Sequence, residues 1–222
     1  MPGHDGLPRH GYEGLAAALG SENEMNDRLM NVSLADRLDN PERLLWLPPA
    51  IMLGALSVQS GDSIADIGAG TGYFSQPLAQ AAGPLGLVFA VDCQAEMLVR
   101  LRLKLEKCSI SNIRVIHADA DSTGLPHASC NIVFMANVWH EFADHSAVLL
   151  EAKRILKAGG RITVLDWRPD VEPEPGPPLH HRLSASDAAD DLQSTGFVEV
   201  KQSNVGKYSW LVQGILRGEI EP

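Results

Sequence analysis

Asp66-Ile67-Gly68-Ala69-Gly70-Thr71-Gly72 is an acid followed by G-x-G-x-G, and it closes the short apolar run Ser63 to Ile67. An apolar run of that length ended by glycines reads as a strand turning into a helix, here over Phe74 to Ala82. Glycines at such a junction let the backbone turn tightly and bring a ligand against main-chain N–H groups at the helix N-terminus. Twenty residues beyond Gly72, Asp92 closes a second apolar run, Leu87 to Val91. A carboxylate there accepts both hydroxyls of a ribose, the general geometry of nucleoside binding in open α/β sheets.

Outward from this loop, strands alternate with amphipathic helices, the signature of parallel βαβ units. A helix over Ala50 to Leu56 precedes the first strand, and Ala95 to Lys107 follows the second. Ile113 to Ile116 and Asn131 to Met135 read as strands three and four, and Ser146 to Leu156 as a helix stopped by Lys157-Ala158-Gly159-Gly160. Arg161 to Leu165, Phe197 to Lys201 and Tyr208 to Val212 complete seven strands, with a helix over Ser184 to Thr195 and a Pro-rich loop from Pro169 to Pro178. Before Pro48-Pro49 the pattern differs. The first 20 or so residues are rich in breakers and read as a flexible arm, and Asn26 to Leu45 reads as one or two short helices divided near Asn40-Pro41. The expected division is therefore an arm and helical cap over 1–45 and a ligand-binding domain over 46–222.

Eighteen Lys and Arg against 28 Asp and Glu give a net charge of -10, which disfavours nucleic acid and anionic membranes as partners. The three cysteines, Cys93, Cys108 and Cys130, are widely spaced with no C-x-x-C pair, which fits a reducing, cytoplasmic setting. His4, Asp5 and His10 lack further ligand spacing, so no metal site is expected. No apolar stretch reaches about 18 residues, so no membrane span is expected. Nothing in the pattern specifies an oligomeric state.

A nicotinamide dinucleotide fold would need G-x-G-x-x-G, and Tyr73 stands at its third glycine. The D-x-G-x-G-x-G loop, Ala90-Val91-Asp92 followed by Glu96-Met97-Leu98, and Leu156 to Arg161 instead resemble the class I S-adenosylmethionine-dependent methyltransferases. The resemblance runs from about Arg37 to Val212 and is nearest the type 11 small-molecule branch, related to quinone and arsenite methyltransferases. It implies an α/β Rossmann-like fold with a seven-stranded, mostly parallel sheet flanked by helices, with S-adenosyl-L-methionine as cofactor. By the same resemblance Asp66, Gly68 and Gly70 hold the methionine part, with Ala69 of the same loop also binding cofactor, and Asp92 holds the ribose. Cys93 and Met97 line the ribose and adenine surroundings, Asp119, Ala120 and Asp121 flank the adenine, and Asn137 stands at the mouth after strand four. Ser122-Thr123-Gly124 lengthens the usual spacing after Asp121.

Methyl transfer needs the acceptor positioned, water excluded and, for some acceptors, a proton removed. His140 follows strand four directly and is the candidate catalytic base, with Glu141 and Asp166 as groups that could orient or charge it. Strand four ends in Asn137-Val138-Trp139-His140 where nucleic-acid amino methyltransferases resemble one another in [N/D]-P-P-[Y/F]. With the acidic charge, this points to a small-molecule acceptor. Arsenite would want thiolates, and the three cysteines do not match that family's placement. The alternative from another class is a catalytically silent cofactor-binding protein of the same fold with an interaction or regulatory role.

Overall fold

This computed structural model describes residues 29–172 and 174–218. The arm expected over the first 20 residues lies outside them. The cap segment forms a 3-10 turn at Val32–Leu34 followed by α1 (Ala35–Leu38) and α2 (Arg43–Trp46). The break falls at Asn40-Pro41 as expected, with Asn40 Oδ1 accepting the Glu42 N–H at 2.9 Å. α3 (Pro49–Leu56) starts on a proline at its first turn, where the missing N–H costs nothing.

The remaining elements run β1 (Ser63–Ile67), α4 (Ser75–Ala82), β2 (Leu87–Asp92), α5 (Ala95–Leu105), β3 (Ile113–His117), β4 (Cys130–Ala136), α6 (His145–Ile155), β5 (Leu156–Trp167), α7 (Ala185–Ser194), β6 (Phe197–Val205) and β7 (Ser209–Leu216). They form one seven-stranded sheet in the order β3-β2-β1-β4-β5-β7-β6. Strands β1 to β5 are parallel, and β7 pairs antiparallel with both β5 and β6. α6 and α7 bury Leu149, Ile155 and Leu192 against one face. α3 and α4 bury Met52, Leu56 and Leu78 against the other, and α5 packs Leu98 and Leu101 beside Ala90. The central strands are covered on both faces, which is why they read as continuous apolar runs. Among the described residues no helix is long and apolar enough to cross a membrane.

One expectation fails at Lys157-Ala158-Gly159-Gly160. α6 ends at Ile155 and the chain passes straight into extended conformation at Leu156, with no glycine cap. These residues belong to β5, where Leu156 pairs with Cys130 and the register shifts before Arg161 meets Ile132. The glycines serve an irregular strand entry, with Gly159 at φ +74°, and not a helix stop. The last hairpin is also longer than its apolar cores, because β6 is an edge strand with a largely polar outer face that carries no periodic signal.

The strand order reverses at β1, which lies between β2 and β4. Ligands in open α/β sheets bind in the crevice at the carboxyl ends of such strands. That crevice here receives the ends of β1, β2, β4 and β5, and so collects Asp66, Asp92, Asn137 and Asp166.

Candidate functional site

A cavity of about 1110 Å³ opens at this crevice, roofed by Leu29, Met30, Leu34, Arg37, Leu38, Arg43 and Trp46 of the cap segment. Ligand pockets commonly span about 300–1,000 Å³, so the volume suits a cofactor together with a second molecule. The candidate cofactor-binding and catalytic residues read from the sequence line it, namely Asp66, Gly68, Ala69, Gly70, Asp92, Cys93, Met97, Asp119, Ala120, Asp121, Asn137 and His140, whereas Asp166 lies behind the wall.

The glycine loop works differently from the expectation that its amides face a ligand. Gly68 and Ala69 donate to Val91 O, Gly72 donates to Ala69 O, and Gly70 donates to Asp92 Oδ2 at 2.8 Å. Four loop amides are thus spent internally. A pyrophosphate would need such donors free, whereas a nucleoside with an amino-acid tail does not. The positive φ of Gly68 and Gly72 also serves packing: a Cβ at Gly68 would stand 2.6 to 2.8 Å from the Val138 side chain, and one at Gly72 would collide with Leu101 Cδ1.

Asp66 is fully buried and accepts the Ser75 hydroxyl at 2.5 Å. Burial pushes its carboxyl up to about 7, with Asp92 adding to the shift while Ser75 and Arg43 oppose it. Asp92 is raised by burial as well, against backbone N–H donors from Gln94 and Gly70. Cys93 is an exposed residue of the cavity wall, and partial desolvation of its sulfur with the charge of Asp92 pushes its thiol up to about 11. Met97 is fully buried. Asp119, Ala120 and Asp121 line the cavity, and the residues that lengthen the spacing after them are tied down. Thr123 is buried and donates its N–H and hydroxyl to Glu151 Oε1 of α6 at 2.9 and 2.5 Å, and Ser122 bridges to Asp119.

Arg43 was not singled out by sequence reasoning. It is 6% exposed, its guanidinium lies 4.0 Å from the Tyr73 ring centroid, and its Nε has no partner among the described residues. It forms no ion pair among them either. Burial lowers it to about 10, with Tyr73, Asp39 and Asp66 pulling the other way. A buried cation with a spare N–H in a cavity wall is a seat for an anionic group. Its only sequence signal is a basic residue on the cap's apolar side.

Behind the loop, Asp166 is 1% exposed and accepts the His140 N–H at 2.8 Å and the Trp167 N–H at 2.7 Å. The same carboxylate holds His140 Nδ1 at 2.9 and 3.0 Å. Glu141 Oε1 stands 3.8 Å from His140 Nε2. Burial disfavours the charged imidazole, but Asp166 and Glu141 outweigh it and hold His140 above its ordinary value. Burial also pushes Glu141 up to about 7, against the pull of His140. Asn137, at φ +56°, has both its Nδ2 and Oδ1 buried without a partner among the described residues. Trp46 and Trp167, with ring centroids 5.2 Å apart, wall this end. His181 lines the cavity too.

The residues fit S-adenosylmethionine: carboxylates at the ends of β1 and β2, a buried guanidinium whose Nε has no partner among the described residues, and after β4 an amide with none among them. Comparison with known proteins agrees. Residues 65–164 match the type 11 family described as a methyltransferase domain. The crystal structure of a SAM-dependent methyltransferase from Aquifex aeolicus superposes with a TM-score of 0.80 at 28% identity, covering 85% of this chain and all of that one. A ubiquinone/menaquinone biosynthesis C-methyltransferase of Hahella chejuensis is 32% identical over 117 residues, 52% of this chain and 47% of its own. A demethylmenaquinone methyltransferase of a Geobacillus strain is 29% identical over 111 residues, 50% of this chain and 47% of its own. The chain thus spans about half the length of these curated relatives. Loop, crevice, fold and match together give this chain, over residues 65–164, the methyltransferase domain of the type 11 family on a class I S-adenosylmethionine-dependent methyltransferase fold.

Proposed function

We propose that the chain transfers a methyl group from S-adenosylmethionine to a small-molecule acceptor, with His140 as general base. One observation carries the reading: a single cavity joins the acidic ends of β1 and β2 to an imidazole oriented by Asp166. The cofactor supplies a methyl carbon activated by a sulfonium. Asp92 holds the ribose, Asp66 the ammonium and Arg43 the carboxylate of its amino-acid end, and Asp119 to Asp121 flank the adenine. His140 takes a proton from the acceptor, and the cap segment excludes water.

The cap is built for that part. Asp39 accepts from the Thr71 hydroxyl at 2.6 Å and pairs with Lys104, and Gln94 Nε2 donates to Met30 O at 2.9 Å. It is thereby latched to the glycine loop and to the end of β2. The named quinone methyltransferase relatives support a small organic acceptor. Isothermal calorimetry with S-adenosylhomocysteine tests the cofactor end, with one site per chain and no competition by NAD expected. Displacement by NAD, or no binding, would refute it.

A further inference from the structure

The acceptor's chemistry follows from the far end of the cavity, given the reading just proposed. Asp166 offers both oxygens to His140 Nδ1 while each also accepts a backbone N–H, from His140 and Trp167. A proton is therefore held on Nδ1, and in the neutral ring it is Nε2 that presents the lone pair. Nε2 makes no hydrogen bond among the described residues, its nearest charged neighbour being Glu141 at 3.8 Å. Three residues earlier, Asn137 brings a buried amide with neither atom satisfied among the described residues, held at a left-handed φ of +56°. A strained backbone carrying an orphaned amide into a cavity marks a ligand contact.

An ammonium acceptor would need a free carboxylate. Asp166 has none to give, because its oxygens are spent on three donors, and Glu141 faces the imidazole, its Oε1 3.8 Å from His140 Nε2. A thiolate needs no base. A neutral hydroxyl needs both things that are present: a lone pair to take its proton and an amide to hold its oxygen. We propose that Asp166, His140 and Asn137 form an acceptor subsite for a neutral hydroxyl on an apolar body, with Asp166 positioning the base. The acceptor gives its proton to Nε2 and uses the freed oxygen pair to bond the methyl carbon, whose bond to sulfur breaks with both electrons left on sulfur. The proton then leaves Nε2 for water.

The test uses the protein loaded with S-adenosylhomocysteine and three probes on one ring system: 2-naphthol, 2-naphthylmethylamine and 2-naphthalenethiol. Long-range ¹H–¹⁵N spectra read the His140 tautomer and the Nε2 shift, and titration reads affinity. The expected result is an Nδ1–H tautomer, an Nε2 shift on adding naphthol, and naphthol binding at least about ten-fold tighter than the amine and the thiol. Asp166→Asn should move the proton to Nε2, since its NH₂ donates and Nδ1 must then accept. Asn137→Gly, which suits the positive φ, should weaken naphthol about ten-fold and leave the tautomer unchanged. Equal or tighter binding of the amine or the thiol, no binding of naphthol to the loaded protein, or an unmoved Nε2 would overturn the proposal. Failure of S-adenosylhomocysteine itself to bind would instead overturn the reading beneath it.

Discussion

The carboxylate of Asp92 braces the glycine loop: its Oδ2 accepts the Gly70 N–H at 2.8 Å while its Oδ1 accepts the Gln94 N–H at 2.8 Å. One side chain thus shapes the loop and lines the cavity. Asp92→Ala should weaken S-adenosylhomocysteine by about 2–3 kcal/mol, the range for losing charge-assisted hydrogen bonds. It should weaken 5′-methylthioadenosine equally, because both carry the ribose. Calorimetry reads both, and unchanged affinity for either would remove Asp92 from the ribose.

Arg43 makes the opposite prediction about the same two ligands. Methylthioadenosine lacks the amino-acid carboxylate, so Arg43→Met should weaken S-adenosylhomocysteine by about 1.5–3 kcal/mol and leave methylthioadenosine within a few-fold. Methionine keeps an apolar stem on Tyr73, which limits the loss of packing. Equal weakening of both ligands would show that Arg43 only holds the cap.

The Asp66 carboxyl, pushed up to about 7 by burial, should lose its proton when an ammonium is bound beside it. Calorimetry in buffers of different ionisation enthalpy should show proton release on binding S-adenosylhomocysteine below pH 7, fading by about pH 8. In the free protein the sign runs the other way for stability. The folded chain keeps a proton that an ordinary aspartate near 3.8 would release, so the contribution is full below that value and is lost as pH rises through about 7. Asp66→Asn should therefore raise the melting temperature more at pH 8 than at pH 5. A variant less stable at pH 8 would contradict the assignment.

Gly68 and Gly72 are held by packing as well as by φ. Gly72→Ala should cost about 1–3 kcal/mol in folding stability, since its Cβ meets Leu101 at φ +83°. Gly68→Ala should cost a similar amount, partly recovered by Val138→Ala because the two sites touch. Thermal or urea denaturation checks both. No recovery in the double variant would show that backbone strain alone sets the cost.

Much of the site was legible because its residues lie at the ends of strands, and strand ends are marked by short-range pattern. Asp66, Asp92, Asn137, His140 and Asp166 are all of this kind, and the β4–β5 pairing of Ala136 with Leu165 brings His140 to Asp166 across 26 positions. Arg43 and Trp46 were not legible, since what places them is the docking of two short helices onto Tyr73 and Trp167, a tertiary event with no periodicity of its own. The glycine loop was found for the right spacing and partly the wrong reason. Its amides turn inward to Val91 and Asp92, which only the register of β1 on β2 reveals. Lys157 to Gly160 misled because glycines after a helix suit a cap or a strand irregularity equally well.

The most direct measurement follows label from methyl-labelled S-adenosylmethionine into small molecules of a metabolite extract, with wild-type protein and His140→Ala side by side. Wild type should form S-adenosylhomocysteine and a labelled product. His140→Ala should slow both by about 10²- to 10⁴-fold while binding S-adenosylhomocysteine within a few-fold of wild type. Equal labelling by the two proteins, or no labelled product from a wild type that binds S-adenosylhomocysteine, would contradict methyl transfer driven by His140.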